Sequence, residues 1–302
     1  MLTIPFFHVD VFSDKPLSGN GLIVFTEAAG FSDAVMLRLT QEMRQFESIF
    51  LERTGDKRYR ARVFTVEEEL DFAGHPVLGA AALLHDLHGD ADAACSWDFE
   101  LNARKVGVVT ASEVGTPGMI YDAYMNQGHA EFGKVLNEEE TREILSIMRL
   151  SWDDLYPGDL PLVVSTGLPY LLLPLQRHIE RAKIGVSDLT ERLGRFGAKF
   201  IGVLDVPTLT QRTWDNAGIV EDIATGSLAG PCGAYLVRQG LRRPGERIAI
   251  RQGDHLGRPS RLFVEVKAAA GRDLPDVFVG GSVCKIAEGR LDANVLVRAG
   301  LV

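Results

Sequence analysis

One short pattern occurs twice, and it restricts the possible folds more than any other feature of the chain. In the N-terminal half, Arg62-Val-Phe64 is followed by Asp71-Phe-Ala-Gly74-His75-Pro76 and the run Gly79-Ala80-Ala81-Ala82. In the C-terminal half, Arg212-Thr-Trp214 is followed by Asp222-Ile-Ala-Thr225-Gly226-Ser227, then Gly230, Gly233 and Ala234. Each copy reads as a strand carrying an Arg-x-aromatic, a short connection, and a helix with a surface of small residues. The first-turn N–H groups of a helix have no intrahelical acceptor, so an Asp–Gly start makes a backbone anion site. Two related starts in two related halves point to a small anionic substrate gripped from both sides.

The stretches around these copies alternate strands with few helices. Phe6–Phe12, Leu22–Phe25, Ser48–Glu52 and Tyr59–Thr65 are rich in β-formers. Ser32 is placed to cap a helix over 33–45, in which Val35, Leu39 and Met43 recur at four-residue spacing. A helix over 77–87 follows Gly74-His75-Pro76, and strands are expected near 96–101, 105–111 and 117–124. In the second half we expect helices over 137–148, 187–195 and 226–240. Strands are expected over 161–166, 170–174 and 200–205, then near 247–251, 261–268 and 276–286. Strands dominate the connections, so a doubly wound parallel sheet fits poorly, and a duplicated α+β arrangement fits better. Each sheet would curl around its own Gly/Ala-rich helix.

The chain has 302 residues, net charge −9 and scattered basic residues, which disfavours a nucleic-acid footprint or a polybasic membrane patch. No apolar run approaches the ~20 residues of a membrane helix, and MLTIPFFHVDVF lacks the basic start of a signal peptide. Cys95, Cys232 and Cys284 have no metal-ligand spacing, and a sparse odd count suits a reducing compartment. The expected location is cytoplasmic.

No Walker, zincin, nucleophile-elbow or dinucleotide motif is present, and the seven histidines do not cluster as ligands. His85 and His88 are expected on the solvated end of a helix. This leaves chemistry without a cofactor or metal as the expectation. Glu47, between Phe46 and the strand from Ser48, could be a carboxyl group with a raised pKa working as acid and base, or an exposed loop glutamate. His75 could serve a site or be structural. Asp71, Asp222 and Ser227 could serve as helix caps. The acidic runs Glu67–Glu69 and Glu138–Glu140 read as solvated faces.

Taken in order, these segments resemble the PhzF-like family, named for the phenazine-biosynthesis isomerase, within the diaminopimelate-epimerase-like fold. The resemblance rests on Ser18-Gly19-Asn20, Glu47-Ser48-x-Phe50, Arg62-x-Phe64-Thr65 and Phe72-Ala73-Gly74-His75-Pro76-x-Leu78-Gly79. It continues through Ser165-Thr166-Gly167-Leu168-Pro169, Glu221-Asp222-x-Ala224-Thr225-Gly226-Ser227-x-Ala229-Gly230 and Gly257-Arg258-Pro259-Ser260. It implies two pseudo-symmetric α+β domains, each a curled mixed sheet or barrel around a central helix. These would be residues 1–116, completed by 290–302, and residues 117–289. It also implies an inter-domain cleft, a homodimer and no cofactor.

By the same resemblance Glu47 is the proton-shuttling acid/base, with Asp222 and His75 as the other catalytic candidates. Gly74, Ser227, Gly226, Thr225, Asn20 and Ser48 would bind a small carboxylate substrate. The expected reaction is a cofactor-independent isomerisation. An epimerase or dehydratase using the same glutamate, or a non-catalytic small-acid binding protein, is the alternative. The related epimerases carry a cysteine beside each helix start, whereas this chain has Gly74-His75 and Thr225-Gly226-Ser227, which disfavours a two-thiol racemase. The chain also departs from the family in having Gly21 and Ile223 where prolines are usual.

Overall fold

The computed structural model describes residues 3–71, 73–89, 93–102, 104–112, 120–267 and 275–301. The chain divides into two compact units, Met1–Asn126 with Gly280–Val302, and Gln127–Val279. The expected boundary between 116 and 117 falls outside the described residues.

The first unit contains β1 (Thr3–Val11), β2 (Asn20–Phe25), α1 (Asp33–Met43), β3 (Glu47–Gly55), β4 (Arg58–Thr65) and the two-residue β5 (Glu69–Leu70). It continues with α2 (Gly74–His88), β6 (Cys95–Glu100), β7 (Lys105–Ser112) and β8 (Ile120–His129), whose last three residues belong to the second unit, and α6 (Asn294–Arg298) lies near its C-terminus. In the second unit are β9 (Glu131–Val135), α3 (Glu138–Ile147), β10 (Leu162–Ser165), β11 (Pro169–Leu175), α4 (Thr190–Phe196), β12 (Phe200–Asp205) and β13 (Thr210–Thr213). It is completed by α5 (Gly226–Arg238), β14 (Ile248–Gln252) and β15 (Ser260–Lys267), and the long β16 (Asp276–Asp292) belongs to both units in turn.

The two units repeat one order of pairings. In the first, β1–β2 is antiparallel, β2–β3 parallel across α1, β3–β4 antiparallel, β4–β6 parallel across α2, and β6–β7 antiparallel. In the second, β10–β11 is antiparallel, β11–β12 parallel across α4, β12–β13 antiparallel, β13–β14 parallel across α5, and β14–β15 antiparallel. A parallel pair needs a crossover, and each unit supplies one outer and one central helix for that purpose. In the first unit the path β1-β2-β3-β4-β6-β7-β8-β16 returns to β1 and closes an eight-stranded ring. The duplicated α+β architecture expected from sequence is therefore present.

The small residues of the central helices admit the sheet wall. A Cβ on Gly79 of α2 would lie 2.6 Å from Leu22 Cδ2 and 2.9 Å from Val11 Cγ2. A Cβ on Gly233 of α5 would lie 3.0 Å from Val264 Cβ. The contact with the branched Val264 Cβ cannot be relieved without moving helix or sheet, and at Gly79 two strand side chains would have to give way together. The outer helices cover separate apolar layers: Val35, Met36 and Leu39 of α1 over Ile23, Phe25, Phe50 and Phe64, and Leu193 and Phe196 of α4 beside Ile201 and Val203.

The repeated Arg-x-aromatic motif is a clamp rather than a ligand site. Arg62 donates from Nε and Nη2 to Glu69, at 2.7 and 2.5 Å, and its guanidinium lies 5.2 Å from the Phe64 ring centroid. Arg212 donates from Nε and Nη2 to Glu221, both at 2.7 Å, and lies 4.8 Å from the Trp214 centroid. Backbone pairing matches too, Phe64 with Glu69 and Trp214 with Glu221. Each clamp thus ties the strand to the segment that leads into the central helix. The Arg62 hydrogen bonds hold the Glu69 carboxyl below its ordinary pKa. Burial alone would raise Glu221, but Arg212 and His255, 2.9 Å away, outweigh it and lower that carboxyl as well.

Most expected elements are present, with Ser32 accepting from the Val35 N–H as the cap of α1. Three readings are corrected. Glu69 is not a solvated acid but half of a clamp. Glu140 closes a capping box with Asn137 and receives Lys134. His85 is buried against Thr110, because α2 turns that face toward β7, and only His88 is exposed. Strand β9 and helix α6 were not anticipated. Residues 117–119 of an expected strand lie outside the described residues.

The clamps predict an asymmetric stability loss. Arg212→Ala strands a largely buried carboxylate and should cost about 3 kcal/mol, whereas the more exposed Arg62 should cost about 1 kcal/mol. Urea midpoints of the two variants check this. A carboxyl lowered in the folded state stabilises fully above its unfolded pKa, so both contributions should fade as pH drops below the ordinary carboxylate range.

Candidate functional site

In the first unit the site is set by the α2-facing side of the sheet. Leu22 sits beside Glu47 in the parallel β2–β3 register, and Leu22 packs on α2, so Glu47 points to the same side. Glu47 is the first residue of β3 and only 7% exposed, which excludes the exposed-loop reading. His75, the second residue of α2, is equally buried, and its Nδ1 stands 3.6 Å from Glu47 Oε2. Burial pushes the His75 pKa down to about 3, so the ring is neutral. The separation exceeds that of a charge-assisted hydrogen bond, which agrees with a neutral ring. Among the described residues, the buried Nε2 of His75 meets no hydrogen-bond partner.

Asn20, paired with Val11, shares the α2-facing side and is almost fully buried. Ser48 does not join this group. It is paired with Ile23 and Phe64, on the opposite face, under α1. Gly74 opens α2, and a Cβ there would meet nothing within 4 Å. Packing therefore does not demand a glycine at that position. Asp71 is exposed and caps nothing, since the N-cap is Ala73, which makes no side-chain cap hydrogen bond.

The second unit builds its helix start differently. Thr225 is the N-cap of α5 without a side-chain cap bond, and its Oγ1 instead donates to Asp222 Oδ2 at 2.5 Å. Asp222 is thus a partner of the cap residue and not the cap itself. Ser227 is the second helical residue, and its hydroxyl lies 2.8 Å from that of Tyr170 on β11. Gly226 precedes it, and Gln127 Nε2 donates to the Gly226 carbonyl at 3.1 Å. Gln252 and Gln211, both fully buried, hold Thr225 from below. Leu228 and Ala229 N–H groups return to the Thr225 carbonyl, so the earlier N–H groups of the first turn have no intrahelical acceptor.

Tyr170, Gln127, Gln211 and Gln252 were not singled out from sequence. Their one visible signal is a polar residue at an inward position of a strand. Among the described residues no group of three or more His, Cys, Asp or Glu side chains could hold a metal ion. Cys232 is fully buried in α5, and burial pushes its thiol well above its ordinary pKa. Cys95 and Cys284 are buried too, with the Cys284 thiol pushed up to about 11 by burial. At Gly21, one of the departures from the family pattern, a Cβ would lie 2.5 Å from Gln45 Oε1 and 3.2 Å from His8 Nε2. The Gln45 side chain occupies the space a larger residue would need. No helix among the described residues is long and apolar enough to cross a membrane.

A family model of phenazine biosynthesis-like proteins matches residues 9–289. The trans-2,3-dihydro-3-hydroxyanthranilate isomerase of Pseudomonas aeruginosa is 30% identical over 292 residues, covering 93% of this chain and 97% of that protein. A solved structure described as a predicted epimerase from Pseudomonas aeruginosa is 47% identical with a TM-score of 0.86, covering 95% of this chain and 99% of that one. The fold is shared with a probable proline racemase from Agrobacterium radiobacter, at 13% identity and a TM-score of 0.61, covering 96% of this chain and 93% of that one. The chain therefore belongs to the phenazine biosynthesis-like (PhzF) family and is an isomerase.

Proposed function

We propose that this isomerase acts without a cofactor on a small carboxylate, with Glu47 taking a proton from an acidic carbon and returning it elsewhere on the same molecule. The observation that carries this reading is a buried carboxylate facing a buried, neutral imidazole at the start of α2. A charged imidazolium at that distance would lower the basicity of Glu47. A neutral ring adds no such charge and can still donate or accept one hydrogen bond itself. First-turn N–H groups at the start of α2, beside Glu47 and His75, would hold the substrate carboxylate and steady developing negative charge. Asp222 would receive a substrate amine or hydroxyl, or relay the proton.

The relative from Pseudomonas aeruginosa acts on a dihydro-hydroxyanthranilate, which carries all three of these groups. That compound is the first substrate to try. Epimerisation through the same glutamate is the second reading, favoured by the similarity to the structure described as an epimerase. Two-thiol inversion has no support here, because no cysteine stands at either helix start and Cys232 is buried with a raised pKa.

Glu47→Gln keeps the shape of the side chain and removes its basicity. We expect turnover of dihydroaromatic and amino-acid substrates to fall at least about 100-fold, with an unchanged circular dichroism spectrum. Full turnover in the variant would remove Glu47 from the mechanism. Deuterium from solvent, located in the product by mass and NMR, separates a shifted double bond from an inverted centre.

The imidazole gives a second test. A histidine with a folded pKa near 3 binds fewer protons than the unfolded chain between that value and about 6.5. Its contribution is therefore complete above pH 6.5 and declines as pH falls, by at most about 1.4 kcal/mol per pH unit. Nitrogen-15 NMR should find His75 neutral at pH 5, and a midpoint above 6 would contradict the buried, neutral ring.

A further inference from the structure

We propose that Gln252 is a positioning residue that fixes the direction of the hydrogen bond from Thr225 to Asp222. The inference rests on the reading of Asp222 given above and adds a residue to it. Its basis is that backbone groups determine the orientation of every member of the network.

The Thr225 N–H can only donate, and it donates to Gln252 Oε1 at 2.9 Å. The Asp222 carbonyl can only accept, and it accepts from Gln252 Nε2 at 2.8 Å. These two contacts settle which end of the Gln252 amide is oxygen. Gln252 Nε2 also lies 3.0 Å from Thr225 Oγ1, and as an amide nitrogen it must be the donor there. Thr225 Oγ1 then turns its own proton to Asp222 Oδ2, 2.5 Å away. Gln211 completes the arrangement by the same logic, donating to the Thr225 carbonyl at 3.0 Å and to Gln252 Oε1 at 2.7 Å.

The result is a one-way chain from Gln211 and Gln252 through Thr225 to Asp222. It holds Asp222 as a hydrogen-bond acceptor and favours its ionised form. It also pins the N–H, the carbonyl and the hydroxyl of the cap residue from which α5 starts. Because both glutamines are fully buried, solvent does not compete for these bonds.

The relay is tested without any substrate by following the Asp222 carboxyl carbon through a pH titration. Wild type, Gln252→Met, Thr225→Val and the double variant are compared. The clamp charges Arg212, Glu221 and His255 are left unchanged in all four. Thr225→Val removes the Thr225 hydroxyl as a donor to Asp222, and Gln252→Met frees the Thr225 proton to point elsewhere. Each single variant should raise the Asp222 midpoint by about half a unit or more. The double variant should move it no further than Thr225→Val alone, since both act through one hydroxyl. A wild-type midpoint in Gln252→Met, or additive shifts in the double variant, would overturn the relay.

Turnover of Asp222→Asn separates the two levels: full activity there sinks the catalytic assignment of Asp222, while the titration still decides the relay.

Discussion

A helix that lies against the inside of a curled sheet must be narrow, and that constraint shapes both units. At Gly79 and Gly233 the sheet wall comes so near that even a methyl group would collide with it. Close packing of this kind removes most of the freedom a helix would have to slide or rotate, because interiors pack densely and relax only partly. The position of the first turn is thereby fixed relative to the strands. Glu47 can face His75 only because α2 cannot move away from β2 and β3. Thr225 can be held on three sides only because α5 presents it at one place.

The clamps add the second level of fixation. Each joins the strand before the helix to the segment that leads into it, using a two-pronged guanidinium–carboxylate pair and an aromatic ring under the guanidinium. Such a pair specifies geometry as well as energy. The repeated arginine is thus occupied with structure, and the chemistry falls to its neighbours. This division could not be inferred from the motif, because an arginine near an anion site looks like a ligand until its partner is known.

Local pattern explains most of what was legible. Alternating β-formers and the Ser32 cap located the strands and α1, and the doubled motif disclosed the duplication. The assignment of Glu47 and His75 to a site came from family resemblance, since spacing alone left Glu47 as possible loop, and their pairing came from the structure. What sequence could not reveal was partnership across distance. Gln252 lies 27 positions from Thr225, and Tyr170 lies 57 from Ser227. Neither belongs to a local periodicity. Ser48 shows the converse: it adjoins Glu47 in sequence, yet strand alternation sends its side chain to the other face.

Both central helices begin without a side-chain cap. Ala73 has no side-chain group to cap with, and at Thr225 the hydroxyl that would serve is directed to Asp222. A serine or aspartate cap stabilises a helix start by about 1 kcal/mol. Each unit forgoes that stability at the place where a cap would cover the N–H groups. Each helix start therefore leaves first-turn N–H groups without a side-chain cap, and an anion that met them would take the place of that cap as well as bind.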